Sequence, residues 1–95
     1  MVTVKEDPLV TLRKKIDNNY ETMKQIASKE FDVRDKIVDF RTLMFYLYLN
    51  GKQIGHVYYN ANQEIVRITG NPVTVMAFAE RLEKNSYKDV SIWTQ

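Results

Sequence analysis

The chain has 95 residues, of which 44% are hydrophobic and 27% are charged, and its formal net charge is +2. This length and composition predict one globular domain over residues 1–95 with a single hydrophobic core. The near-neutral charge excludes a strongly acidic mimic of DNA and gives little support to a nucleic-acid-binding protein.

Cysteine is absent from the sequence, which excludes disulfides, thiolate catalysis and cysteine-based zinc sites. The N-terminal segment has no apolar signal region, and no segment approaches the roughly 18 apolar residues that a membrane span requires. We therefore expect a soluble cytoplasmic protein that does not contact a membrane.

The first predicted helix begins at Asp7-Pro8, since Asp at the N-cap and Pro at the first helical position are typical of a helix start. Apolar residues at three- and four-residue steps extend the helix over 8–28. The same apolar residues also follow part of a heptad repeat, in which Asn19 falls at one of the two apolar positions. This pattern is compatible with a coiled coil formed with a second helix. It covers barely three heptads, so packing against a sheet is the preferred interpretation. Before it, Val2 and Val4 alternate with polar residues and suggest a short edge strand.

A hairpin is predicted over residues 42–59, the densest apolar and aromatic run of the chain. Asn50-Gly51 interrupts this run, and two alternating segments separated by Asn-Gly are the strongest local signal for a β-hairpin. Asn and Gly tolerate the positive φ angles that a type I′ turn requires.

Alternation along the hairpin assigns its two faces, because side chains of a strand point to opposite sides in turn. A two-residue turn predicts a leucine side, which we expect to be the core, and a tyrosine side. The leucine side comprises Leu43, Phe45, Leu47, Leu49, Ile54, His56 and Tyr58. The tyrosine side comprises Met44, Tyr46, Tyr48, Gly55, Val57 and Tyr59.

A third strand is expected over 65–69. An odd number of residues in the loop before it would bring Val66 and Ile68 to the leucine side, and this arrangement is preferred because it leaves one face consistently apolar. Asn71-Pro72 starts a second helix over 72–84, in which Val75, Met76, Ala79 and Leu82 are expected to be buried. A last strand follows over 88–94.

Residues 31–41 fit neither the helical nor the strand period and are predicted to be a connection containing a short strand or turn. The resulting fold class is α+β, a two-layer sandwich in the order α-β-β-β-α-β. Its mainly antiparallel four-stranded sheet carries both helices on one face.

Candidate chemistry is sparse. His56 is the only histidine, and no carboxylate, thiol or second imidazole is spaced to form a triad or zinc site with it. Asp32, Asp35 and Asp39 are interrupted by basic residues and lack the glycine and late Glu of a calcium loop, so surface salt bridges are preferred. No glycine-rich phosphate loop is present. We expect no enzyme activity, no cofactor and no metal.

The tyrosine side is the strongest functional candidate, because apolar patches on small monomers often mark contact sites. Tyrosine and methionine are enriched in protein interfaces. The predicted protein-binding residues are Met44, Tyr46, Tyr48, Val57 and Tyr59. We expect a small protein-interaction module that binds another protein or itself as a homodimer, of the kind encoded by phages, mobile elements or bacterial accessory genes.

The alternative hypothesis is nucleic-acid binding through the basic run Arg13, Lys14 and Lys15 on the first helix. The order helix, three strands, helix is also that of double-stranded RNA-binding domains, which carry a lysine-rich turn at the start of the second helix to contact phosphates. Residues 71–75 contain no basic side chain at that place. Protein binding is therefore preferred.

Overall fold

Both predicted helices are present and begin at the predicted caps. The structure is a computed structural model that describes residues 7–94, in which α1 spans Pro8–Ala27 and α2 spans Pro72–Lys84. Oδ1 of each cap residue accepts a hydrogen bond from the backbone N–H two residues further on, at 2.8 Å for Asp7 and 2.9 Å for Asn71. Each bond satisfies one of the amides that the start of a helix leaves without an intrahelical partner.

One sheet accounts for the strands within residues 7–94. Its order is β1-β2-β3-β4-β5, and all neighbours are antiparallel except β4 and β5, which are parallel because α2 connects them across the sheet. The finding confirms the α+β class, with five strands instead of the predicted four. The edge strand suggested by Val2 and Val4 lies outside the described residues. The strands are β1 (Asp32–Asp39), β2 (Thr42–Leu49), β3 (Lys52–Asn60), β4 (Ile65–Gly70) and β5 (Asp89–Trp93).

Strand β1 is the additional element, and a β-bulge explains why its pattern was ambiguous. Its pairing with β2 shifts by one residue between Arg34 and Ile37, where Asp35 has a φ of 61°. An extra residue in one strand interrupts the alternation of side chains between the two faces of the sheet. Val33 and Val38 therefore both pack against the core, although their separation along the chain is odd.

The central hairpin forms as predicted at its tip. Asn50 and Gly51 have φ angles of 54° and 78°, which are the positive values of a type I′ turn. Further along, a second bulge interrupts the pairing: Tyr48 pairs with Gln53, but Leu47 pairs with Gly55. Ile54 is the additional residue of β3, and it reverses the direction of every following side chain in this strand.

The reversal corrects the predicted faces of β3. Val57 and Tyr59 were expected on the tyrosine side, but they pair with Phe45 and Leu43 and have only 0% and 2% of their surface exposed. Conversely, His56 and Tyr58 were expected on the leucine side but pair with Tyr46 and Met44. Leu49, also expected in the core, is exposed at the end of β2.

Strand β4 lies as predicted, although for a different reason. Val66 and Ile68 are buried on the leucine side, as expected. The turn that precedes them has an even number of residues, since Asn60 pairs directly with Ile65. The bulge in β3 reverses the alternation of its side chains, and this reversal replaces the odd number of turn residues that was expected from the sequence.

Both helices pack on the leucine side and complete the core. The ring of Tyr20 in α1 meets Phe45 edge-on at a centroid distance of 5.5 Å, so the apolar stripe of α1 packs against the sheet as preferred. In α2 the buried stripe contains Phe78, whereas Met76, predicted to be buried, is 46% exposed. Met76 follows Val75 directly and is therefore turned about 100° away from the stripe.

Candidate protein-binding face

The side of the sheet opposite the helices is not covered by any element within residues 7–94. We call this surface the open sheet face. Pairing between the strands places large aromatic, basic and sulfur-containing side chains on it, all half-buried or exposed. Its central members are Met44, Tyr46, Tyr48, His56, Tyr58, Arg67 and Trp93.

Three of the five predicted protein-binding residues lie on this face: Met44, Tyr46 and Tyr48. The other two, Val57 and Tyr59, belong to the core and cannot contact a partner from there. Alternation alone could not assign them, because a bulge at Ile54 reverses β3. The isolated Gly55 beside it is the sequence signal that could have indicated this bulge.

Sequence reasoning also missed members of the face contributed by the other strands. Trp93 is 52% exposed and lies beside Thr69 of β4. Arg67 stands between two rings, with its guanidinium carbon 4.9 Å from the centroid of Trp93 and 5.8 Å from that of Tyr58. Such contacts hold a guanidinium over aromatic surface and are stronger for Arg than for Lys. The parallel pairing of β4 with β5, which are far apart in the sequence, brings these side chains together.

A second arginine–tyrosine pair lies toward the β1 edge. The guanidinium of Arg34 is 4.9 Å from the ring centroid of Tyr48, and its Nη2 is 2.8 Å from Oδ2 of Asp32. This hydrogen bond to Asp32 raises the pKa of Arg34. The phenol of Tyr48 donates to Oδ2 of Asp35 at 3.1 Å, and this bond raises the pKa of Tyr48 because it stabilises the protonated phenol.

His56 lies near the middle of the face, which corrects its predicted place in the core. It is half-buried, and its ring centroid is 5.8 Å from that of Tyr46. Along residues 7–94, no cluster of three or more His, Asp or Glu side chains is arranged to hold a metal ion. A shallow depression of about 440 Å³ beside His56 is lined by Met44, His56, Tyr58, Arg67, Thr69, Trp93 and Thr94.

The charges of the open sheet face are mainly acidic. Its two guanidiniums are those of Arg34 and Arg67. Four carboxylates lie on the same side, by strand pairing or, for Asp35, by its hydrogen bond to Tyr48. A polyanion such as nucleic acid would meet net repulsion here. The carboxylates belong to Asp32, Asp35, Asp39 and Asp89.

The basic run of α1 lies on the opposite side of the sheet from the strand tyrosines. Nε of Arg13 is 3.9 Å from Oδ1 of Asp17, and Nζ of Lys15 is 2.8 Å from Oε1 of Glu64. Lys14 is exposed on the same helix. The structure therefore does not bring the two parts of the alternative nucleic-acid site together, and acidic groups neutralise part of the basic run.

The fold and this face define a two-layer α+β protein with one helix-covered side and one aromatic side. Comparison with protein-family models, with curated protein sequences and with solved structures finds no match to this chain. Neither α1 nor α2 is long and apolar enough to cross a membrane.

Proposed function

We propose that this protein is a small non-enzymatic interaction module that forms a homodimer through its open sheet face. The observation that carries the proposal is the cluster of Tyr58, Arg67 and Trp93 beside Tyr46, on a side that neither helix covers. Tyr, Trp and Arg dominate the binding energy of protein interfaces. In the same proposal, the cysteine-free chain acts in the cytoplasm.

The area of the face supports a dimer of modest affinity. Five strands spaced about 4.8 Å apart, with about six residues each at 3.4 Å, form a surface on the order of 500 Å². Two such surfaces would bury on the order of 1,000 Å², and protruding side chains add to this figure, which is near the lower limit for a specific interface. We therefore expect a dissociation constant in the micromolar range.

The strand register predicts which residues two identical faces would bring together. A two-fold axis parallel to the strands and passing over β3 would place β1 of one copy across β5 of the other. Because such an axis preserves position along the strands, Arg34 would face Trp93 of the second copy and Arg67 would face Met44. Asp89 would lie opposite Asp39, so charge repulsion at this end limits the affinity. Interfaces with this symmetry are self-complementary, so each favourable pair occurs twice.

Sedimentation velocity over a range of protein concentrations tests the proposal. The wild-type chain of 11.2 kDa should change reversibly from monomer to dimer as its concentration rises. Tyr46→Glu should remain monomeric, because it buries an unpaired carboxylate in the interface. The matched control is Gln25→Glu, which adds the same charge at an exposed position of α1 and should dimerise as wild type does.

Two results would overturn the proposal. One is a wild-type protein that remains monomeric at all concentrations, and the other is a Tyr46→Glu variant that dimerises normally. A third measurement addresses the alternative hypothesis. Binding of a single-stranded oligonucleotide that weakens steeply with salt and disappears on charge reversal of Arg13, Lys14 and Lys15 would favour the nucleic-acid function instead.

A further inference from the structure

A polar cavity lies on the helix side of the sheet, at the end opposite the Asn50-Gly51 turn. It has a volume of about 470 Å³ and is enclosed by α1, the β3–β4 turn and the segment between α2 and β5. This volume falls within the range of about 300–1,000 Å³ that small-molecule sites occupy. The cavity is separate from the open sheet face, because its wall includes Tyr59, which points to the core side.

Tyr59 supplies an unusual group to this cavity. Only 2% of its surface is exposed, and its hydroxyl oxygen is not among the fully buried side-chain atoms that lack a partner. The hydroxyl therefore keeps contact with the open volume of the cavity that Tyr59 lines. Burial raises the pKa of Tyr59 to about 12, so the phenol remains protonated at neutral pH and can both donate and accept a hydrogen bond.

The neighbouring phenol has a different arrangement. Tyr87 stands at right angles to Tyr59 with ring centroids 6.5 Å apart, and its hydroxyl donates to Oδ1 of Asn19 at 2.7 Å. Nδ2 of Asn19 in turn donates to the carbonyl of Lys15 at 2.8 Å. These bonds fix the loop before β5 to α1 and build a rigid wall. The Tyr59 hydroxyl is thus a preorganised group that a ligand in the cavity can reach.

The only carboxylate that the cavity lining directs into it, within residues 7–94, is paired with a lysine. Oε1 of Glu64 is 2.8 Å from Nζ of Lys15, and the pKa of Glu64 is lowered by its hydrogen bond with Lys15, with a smaller contribution from Lys88. Asp89 also lines the cavity, but strand pairing places its side chain on the open sheet face. Glu64 and Lys15 therefore form a neutral pair, and Lys88 adds one ammonium group at the rim.

Neutral polar groups complete the lining. Gln63, Asn85 and Ser86 contribute amide and hydroxyl groups at the rim, which both donate and accept hydrogen bonds. The rings of Tyr59 and Tyr87 contribute apolar surface between them. A sugar ring matches this combination because it presents hydroxyls at its edge and C–H groups on its faces.

We propose that this cavity binds a neutral sugar of one or two rings, with the Tyr59 hydroxyl as the central hydrogen-bonding group. Small ligands of this size bind with dissociation constants on the order of millimolar. The site is independent of dimerisation, since it lies on the other side of the sheet from the open face.

Titration of the ¹⁵N-labelled full chain, followed by amide chemical shifts, tests the proposal. The probes are D-glucose, N-acetyl-D-glucosamine and sucrose, each added up to about 50 mM, well above the expected dissociation constant. At least one probe should shift the amides of residues 61–64 and 85–89 in a saturable way. Tyr59→Phe keeps the buried ring and removes only the hydroxyl, so it should weaken binding about five- to tenfold.

Tyr20→Phe is the matched control, since it makes the same chemical change at another buried tyrosine on the helix side, one that does not line the cavity. It should leave sugar binding unchanged. Three results would each overturn the proposal: no saturable shift with any of the three sugars, equal affinity in wild type and Tyr59→Phe, or tighter binding of sodium phosphate or glycine than of any sugar.

Discussion

The buried phenol of Tyr59 should make the stability of the protein depend on alkaline pH. Burial raises its pKa from 10.0 to about 12. Below pH 10 the folded and unfolded chains both hold the phenolic proton, so this group contributes no pH dependence. Above pH 10 the unfolded chain releases its proton first, so the free energy of unfolding falls as the pH rises toward 12. One pKa unit corresponds to about 1.36 kcal/mol, and the expected loss by pH 12 is about 2–3 kcal/mol.

Urea denaturation followed by far-UV circular dichroism at pH 9, 10, 11 and 12 measures this loss. Lysine, arginine and other tyrosine side chains titrate in the same range, so the wild type alone does not isolate Tyr59. Tyr59→Phe retains the packed ring and lacks the titrating group, and the stability difference between the two proteins should shift by about 2–3 kcal/mol in favour of Tyr59→Phe across this interval. Parallel pH profiles of wild type and Tyr59→Phe would refute the reasoning.

Four further substitutions, at three positions, test the backbone of the sheet and the cap of the second helix, each by urea denaturation. Gly55→Ala should destabilise the protein by about 3 kcal/mol, because the added Cβ would lie 2.2 Å from the carbonyl oxygen of Thr69. Its comparison is Gly51→Ala, where φ is 78° but nothing lies within 4 Å, so only the conformational cost of about 1–2 kcal/mol is expected. Equal losses at the two glycines would contradict the close approach. Asn71→Ala removes the cap of α2 and should cost about 1 kcal/mol, whereas Asn71→Asp should restore it; a loss of the same size in both would rule out capping as the cause.

The helices could be predicted because their signals are local. An Asx cap before Pro and a stripe at three- and four-residue steps act within a few residues of the chain, and both helices begin where these signals place them. The same holds for the Asn50-Gly51 turn, whose conformation depends on the two residues themselves. The assignment of Met76 to the core failed because neighbouring positions on a helix compete for one stripe, and Phe78 occupies it.

The faces of β3 could not be predicted, because a single unrecognised extra residue reverses the assigned side of every later residue in the strand. One additional residue at Ile54 reverses all the following side chains, and the signal that could have marked it is the adjacent Gly55, since a glycine inside a strand often accompanies a bulge. The bulge near Asp35 hid β1 in the same way. As a result, the candidate face was assigned correctly at Met44, Tyr46 and Tyr48 of β2, because the extra residues of both bulges belong to the neighbouring strands, and incorrectly at Val57 and Tyr59.

Two arrangements of the hairpin tip are compatible with one sheet. In the present arrangement, a two-residue turn is followed by the bulge at Ile54. A three-residue turn ending at Lys52, without the bulge, would align Leu47 with Gly55 equally well, because each arrangement contains the same number of residues between these partners. The pairing at the tip could therefore change without changing the strand register in the rest of the sheet. Exchange between the two would leave the core and the aromatic surface in place, while only residues 48–54 would change their pairing.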